Sequence, residues 1–374
     1  MKTTQKKILL LITVILMCTI AVSAYFLLTD HHLEKTMADG YHPIKNNFKS
    51  SSENDSESFL IMGLDNTNER KLGTTRTDAM MIITLNKKDK KITFCSLPRD
   101  SFVPIIAKNY HGNQRIEAAY TFNGPAASVN TVEKLFNIPI DHYCVFNFLS
   151  FINFIDAIGG ITINVKQAFD GVTKDGPGAI HFDEGTQHVD GTKALSYARE
   201  RHSDNDIMRG FRQQEIIQAV GEKLKSKSTI KNLTKIIDSF DNNIQTDITT
   251  DQLLALLKNG LTYENYQKQQ LTFDWRTFSN QNRSMVELYP DSIQYVSHEL
   301  RVSLGIDKKD ARDKKDFVFH TNGQYLYQSD YSVQDPDSED QESTSLYGNT
   351  YIGTPGNTET GELPIVETKN GFVP

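Results

Sequence analysis

The sequence predicts an α/β sandwich: a central sheet of mixed topology with flanking helices, preceded by one transmembrane helix. Three observations point there. Short apolar runs that end in glycine, proline or turn residues recur between residues 58 and 165 and read as strands. Stretches with apolar residues at helical spacing lie among them. The two kinds do not alternate strictly, which argues against a doubly wound parallel sheet.

The first element is an uncharged run from Ile8 to Leu28, rich in Leu, Ile, Val and Ala. At about 1.5 Å of rise per residue it reaches about 31 Å, one hydrocarbon core. Lys2, Lys6 and Lys7 precede it without any acidic residue, so residues 1–7 are expected in the cytoplasm and the rest outside. The protein is thus expected in the cell membrane, single-pass, with its working domain extracellular. The alternative is a cleaved signal peptide, for which Val22-Ser23-Ala24 resembles a cleavage site, although Tyr25-Phe26-Leu27-Leu28 continues the apolar run. Either reading leaves the working domain outside.

Residues 29–57, polar and rich in Ser, Asn, Lys and His, read as an extracellular stalk. The domain follows over residues 58–328. Ser58–Gly63 is a buried strand, and Ala79–Leu85 and Lys91–Leu97 form two more, joined by a turn over residues 86–90. Helices are expected over Val129–Phe136 and over Phe148–Ile158, the latter stopped by Gly159-Gly160. A strand over Ile161–Val165 precedes helices at Gly191–Arg199, Asp204–Lys225 and Asp251–Lys258. Residues 329–374, crowded with Asp and Glu among Ser, Gly and Thr, read as a disordered acidic tail.

The 374 residues carry a net charge of -7, which excludes a general basic affinity for nucleic acid. Of three cysteines, Cys18 lies in the apolar run while Cys95 and Cys144 sit in strand-like segments. An extracellular setting permits a Cys95–Cys144 bridge, yet nothing in the spacing demands one over two buried thiols. No Cys/His cluster of metal-binding type is present.

Three clusters carry the chemistry. Gly63-Leu64-Asp65 ends one strand, and Arg76-Thr77-Asp78 opens the next, where Arg76 and Asp78 share a side of the extended chain. Alone, such a pair is a surface salt bridge more often than a site. Ser96-Leu97-Pro98-Arg99-Asp100-Ser101 follows the third strand, and its proline aims Arg99 from a rigid base, though Pro-Arg-Asp by itself is an ordinary turn. Tyr197-Ala198-Arg199-Glu200-Arg201 leads to Asp206, Arg209 and Gln213, whose spacing puts the last three on one helical face. A charged helical face is ordinarily a solvated one. Together, many arginines with several aspartates and few lysines suit a polyphosphate with a divalent cation. The guanidinium fork grips phosphate oxygens and carboxylates hold the metal.

These residues resemble the LytR-CpsA-Psr family of Gram-positive cell-envelope proteins. The likeness runs through Gly63-Leu64-Asp65, Arg76-Thr77-Asp78, Ser96–Asp100, Ile138-Pro139-Ile140-Asp141-His142-Tyr143, Asp156–Ile161, Ala194–Arg201 and Asp206–Gln214, in order, over Phe59–Gln214. The resemblance implies a transferase that moves a glycopolymer, of teichoic acid or capsular type, from a polyprenyl-pyrophosphate carrier onto peptidoglycan. It implies Asp65 and Asp78 as ligands of Mg²⁺ or Mn²⁺, and Arg76, Arg99, Arg199 and Arg201 as catalytic residues neutralising phosphate. Arg209 and Gln213 complete the headgroup site, and Asp206 orients an arginine. An aspartate such as Asp78 is the available base, a role that competes with metal binding. Two departures from the family pattern stand out. Gln114-Arg115-Ile116-Glu117-Ala118-Ala119-Tyr120 replaces a Lys-Ile-Asn-Ala run, and Asn123-Gly124-Pro125 replaces a double glycine. Arg115 keeps a phosphate-binding charge, whereas Glu117 adds an acid. The apolar residues from Phe146 to Ile158 suit a prenyl-chain pocket or plain core.

Other functions share these features: a lipid pyrophosphatase without acceptor, a lipid-binding receptor without turnover, or a membrane-bound regulator. A cytoplasmic segment of seven residues holds no DNA-reading module.

Overall fold

The computed structural model describes residues 41–44, 55–64, 76–173, 176–200, 206–224, 244–259, 262–280 and 283–309. The expected anchor, most of the stalk, Asp65, Arg201 and the acidic tail lie outside the described residues. Among the described residues no helix is long and apolar enough to cross a membrane.

The centre is a six-stranded sheet. Its members in chain order are β1 (Ser56–Leu64), β2 (Thr77–Asn86), β3 (Lys91–Ser96), β6 (His142–Asn147), β11 (Ile244–Thr246) and β12 (Gln267–Leu271). They lie side by side as β11-β6-β1-β2-β3-β12. β1, β2 and β3 are antiparallel neighbours, whereas β6 joins β1 and β12 joins β3 in parallel. The sheet is therefore mixed, as the uneven alternation of strand and helix predicts. β1 begins at Ser56, inside the segment expected as stalk. Tyr41 also bridges Thr246 at the sheet edge, where His42 N–H donates to the Thr246 carbonyl.

The strands are apolar on both faces, so each face needs cover. On one, Leu60, Met62, Met80, Ile82, Cys95, Tyr143 and Val145 pack with α1 (Ala119–Phe136) and α6 (Pro290–Ser303) through Val129, Val132, Phe136, Ile293, Val296 and Leu300. On the other stand α2 (Phe148–Ala157), α3 (Gly191–Arg199) and α4 (Asp206–Leu224). These share a second core with β7 (Ile161–Val165) and β10 (Gly185–Val189) through Ile155, Ile158, Ile161, Val189, Ala194 and Ile216. The layers are thus helix, sheet, helix. α5 (Thr250–Asn259) matches the expected helix near residue 251.

The sequence reading passed over several short strands. The hairpins are β4–β5 (Phe102–Ala107, Tyr110–Arg115), β8–β9 (Phe169–Thr173, Gly176–Phe182) and β13–β14 (Trp275–Asn280, Arg283–Leu288); β4 is apolar but interrupted by Pro104, and most of the others are polar or irregular enough to read as loops. Their pairing comes from packing against the domain rather than from propensity. α1 reaches ten residues further toward the N-terminus than the expected Val129–Phe136, across a break at Asn123 and Gly124. Gly124 has a φ of 57°, which explains a glycine there, and Pro125 starts the second segment.

Cys95 and Cys144 are free thiols. They sit on β3 and β6, three strand positions apart, or about 14 Å, well beyond disulfide reach. Burial pushes the Cys95 thiol far up and, with Asp247 nearby, pushes Cys144 up to about 12. A raised thiol pKa leaves little thiolate, so folded protein at pH 8 should resist iodoacetamide at both positions. Denatured, unreduced protein should take label at both. A mass spectrum of the labelled peptides checks this.

Candidate active site

β1 and β2 do not stay in register to their ends. Gly63 pairs with Ala79, but Leu64 pairs with Thr77, so Asp78 is the extra residue of a bulge. On β2, Met80 and Ile82 have the same parity as Asp78 and point into the core beneath α1 and α6. The bulge breaks that parity, and Asp78 instead lines a cavity on the opposite face. The cavity, about 300 Å³, lies between the sheet and α2, α3 and α4. Ile61, Met81 and Phe146 from the sheet meet Phe148, Phe151, Leu195, Ile216 and Ile217 from the helices to form apolar walls. Asp78, Arg99, Arg199, Arg209 and Gln213 supply its polar lining.

Each polar residue is held by local structure. The turn after β3 fixes Arg99: the Pro98 carbonyl accepts from Ser101 N–H, that of Arg99 from Glu117 N–H, and that of Asp100 from Val286 N–H. The proline base predicted from sequence is thus tied down at three successive carbonyls. Arg99 bonds Asp78 directly and lies 3.7 Å from Asp100 and 4.0 Å from Glu117. Burial alone would lower its pKa, but these three carboxylates outweigh burial and raise it well above the usual guanidinium range. Arg99 therefore stays charged at every working pH.

Asn147 caps α2 in a capping box with Ser150, so the helix starts directly at the end of β6. Phe146, Phe148 and Phe151 thereby face one cavity, while Ile155 and Ile158 belong to the core. The helix stops at Gly159 and Gly160, with φ of 82° and 72°. Asp156 Oδ1 accepts from Gly191 N–H at 2.7 Å and Asp190 Oδ1 from Lys193 N–H at 2.8 Å, which together anchor the start of α3. At its other end Arg199 stacks on Phe148, 4.5 Å from the ring centroid, and donates to the Thr173 carbonyl.

The structure corrects one sequence expectation. Arg76 lies just before β2 and Asp78 within it, and they do not bond each other: Arg76 donates to Glu117 at 2.9 Å, and Asp78 accepts from Arg99. The bulge turns the aspartate inward while Arg76 stays 48% exposed. Arg115 also stands apart from the cavity lining; it lies 3.2 Å from Asp100 and 3.6 Å from Glu117, and donates to the Ser284 carbonyl. The charged face of α4 is not the solvated one that charge alone suggests, since Arg209 and Arg212 are buried. Asp206 begins α4; its side chain, like Asp65 and Arg201, lies outside the described residues.

Glu117 is the residue whose role the sequence conceals. It is 4% exposed and draws Arg76, Arg99 and Arg115 together. Its signal is an acid inside the apolar run Ile116-Glu117-Ala118-Ala119, where a buried charge must be paired. The wall residues of α4 were readable too, because Arg209, Gln213, Ile216 and Ile217 follow one helical stripe.

Asp78 has the hard oxygen donors a divalent cation takes, with Oδ1 engaged by Arg99. Among the described residues no group of three or more His, Cys, Asp or Glu is placed to hold a metal ion.

A cavity with apolar walls and three lining arginines suits an anionic headgroup on a hydrocarbon tail. Known proteins share this framework. Residues 25–301 match the LytR_cpsA_psr family. The polyisoprenyl-teichoic acid–peptidoglycan teichoic acid transferase TagT of Bacillus subtilis (strain 168) is 29% identical over 276 residues, 72% of this chain and 84% of that protein. The crystal structure of B. subtilis TagV superposes with a TM-score of 0.57 at 30% identity, covering 67% of this chain and 98% of that one. The LytR-CPS2A-psr protein YwtF (TagT) with bound octaprenyl pyrophosphate lipid gives 0.54 at 26%, covering 70% and 95%. With a family match that spans residues 25–301, most of its length, this chain belongs to the LytR_cpsA_psr family.

Proposed function

We propose that this protein is a transferase that moves a teichoic acid or capsular-type glycopolymer from a polyprenyl-pyrophosphate carrier onto peptidoglycan. The observation that carries the reading is the cavity between sheet and helices, whose largely apolar lining includes three arginines, an aspartate and a glutamine. A prenyl chain gains about 0.8 kcal/mol for each buried methylene, and guanidinium groups grip the diphosphate. In the reaction an acceptor hydroxyl oxygen bonds to the phosphorus that carries the polymer. The bond from that phosphorus to the bridging oxygen breaks, and polyprenyl phosphate leaves. The hydroxyl proton passes to a base, for which Asp78 is the candidate as the one carboxylate among the described residues lining the cavity. Arg99, Arg199 and Arg209 stabilise the charge that builds on the phosphoryl oxygens.

Mg²⁺ or Mn²⁺, held by Asp78 with Asp65, would add charge neutralisation at the diphosphate. The run Ile8–Leu28 supports an uncleaved membrane anchor, with residues 58–328 outside the cell and close to a donor that stays in the bilayer.

The test is a transfer assay with the full chain in detergent, a polyprenyl-pyrophosphate-linked saccharide and a peptidoglycan oligomer, with and without EDTA. Saccharide on peptidoglycan supports the reading, whereas release of saccharide phosphate in the presence of acceptor would make it a pyrophosphatase instead. Leu195→Trp, which fills the cavity without altering any charged residue, should raise KM at least tenfold for a long-chain donor. It should raise KM far less for a donor with a two-isoprene tail. Equal effects on both donors would place the tail elsewhere.

A further inference from the structure

The site has two halves on different elements: Arg99 on the turn after β3, and Arg209 with Gln213 on α4. They meet where α4 crosses the end of β3. Helix α4 approaches β3 closely at Gly210, where an added Cβ would stand 2.9 Å from the Ser96 Cβ. Non-bonded side-chain carbons essentially never sit so close, so any side chain at Gly210 must lift the helix or shift the strand. A polar clasp holds the approach. Ser96 Oγ donates to the Gly210 carbonyl at 3.1 Å and accepts from Gln214 Nε2 at 3.1 Å. Gln214 is buried and Ser96 half-buried. Ser96 lies three residues before Arg99, and Gly210 stands between Arg209 and Gln213. The clasp therefore ties together the two segments that carry the opposing cavity-lining groups.

We propose that Ser96, Gly210 and Gln214 form a latch that seats α4 on β3 at the spacing which lets Arg209, Gln213 and Arg99 grip one diphosphate. They are positioning residues, since none of the three is among the residues lining the main cavity. The inference rests on the donor reading above and adds which residues set its headgroup site. Its physical basis is that a guanidinium fork must meet phosphate oxygens within a few tenths of an ångström. A lifted helix loses that fit before it loses the fold.

The test is a rescue. Gly210→Ala introduces the clash, and Ser96→Gly removes the atom it would strike. Full-length protein in detergent is titrated with octaprenyl pyrophosphate, and thermal unfolding of each variant is followed alongside. Gly210→Ala should weaken binding about tenfold and lower Tm, and Ser96→Ala, which removes only the hydrogen bonds, should weaken it about threefold. The double variant S96G/G210A should bind within about threefold of wild type. A double variant no better than Gly210→Ala, or a Gly210→Ala protein that binds like wild type, overturns the latch. A variant that recovers Tm without recovering binding shows a purely structural contact and also overturns it. Wild type that binds no octaprenyl pyrophosphate sinks the donor reading, and the recovery of Tm then decides the contact by itself.

Discussion

Arg99→Ala should lower kcat/KM for glycopolymer transfer by 10²- to 10³-fold, about 3–4 kcal/mol of transition-state stabilisation. Arg99 lines the cavity and also offsets Asp78, Asp100 and Glu117. Its loss removes a donor to the phosphoryl oxygens and at the same time leaves the Asp78 carboxylate facing an anionic substrate, with the charges of Asp100 and Glu117 less compensated behind it. The second effect makes the variant worse than the removal of a single hydrogen bond. Arg99→Lys should recover only part of the activity, because an ammonium is a point charge that cannot span several carboxylates at once. Release of polyprenyl phosphate, measured beside circular dichroism to show that the variant is folded, checks this. Full transfer by a folded Arg99→Ala protein would remove Arg99 from the site. The same assay applies to Arg199→Ala, whose guanidinium lies over Phe148 at the cavity wall.

Glu117→Ala should lower both stability and activity, although Glu117 is not among the cavity-lining residues. Its carboxylate is buried among Arg76, Arg99 and Arg115, and its removal leaves them without a shared counter-charge. Breaking a buried pair from one side costs about 3–5 kcal/mol. Here the cost should fall nearer 2 kcal/mol, because Arg76 is half exposed and Arg99 and Arg115 keep Asp100. Urea unfolding reads that term. Transfer should fall about tenfold to a hundredfold as the arginines lose their setting. Glu117→Gln keeps a hydrogen-bond acceptor but no charge, and should retain more stability than Glu117→Ala. Equal loss in both variants would show that charge alone matters.

Much of this was legible in the sequence, and the reason differs by element. β1, β2 and β3 read as strands because both of their faces are apolar, and α3 reads to the residue because Asp190 caps it and the chain turns extended after Arg199. Hairpins such as β13–β14 were not legible, since their residues pair only because the domain lies beneath them. Ile155 and Phe151 come from one short helix, yet one is core and the other cavity wall. Periodicity places residues on a helical face and says nothing about whether the face opposite is filled.

By itself the sequence determined the first three strands and most of the helices, the family and the residue types of the site. Local signals carry those: caps, glycine stops, strand runs and motifs whose residues lie within a few positions of each other. Only the tertiary structure decided which charges meet. Asp78 turned away from Arg76 because a bulge shifted the register by one residue, and a one-residue shift moves a side chain to the other face. Glu117 became the partner of three arginines because the turn after β3 and the start of α1 are hydrogen-bonded together, bringing residues far apart in sequence within ion-pair distance.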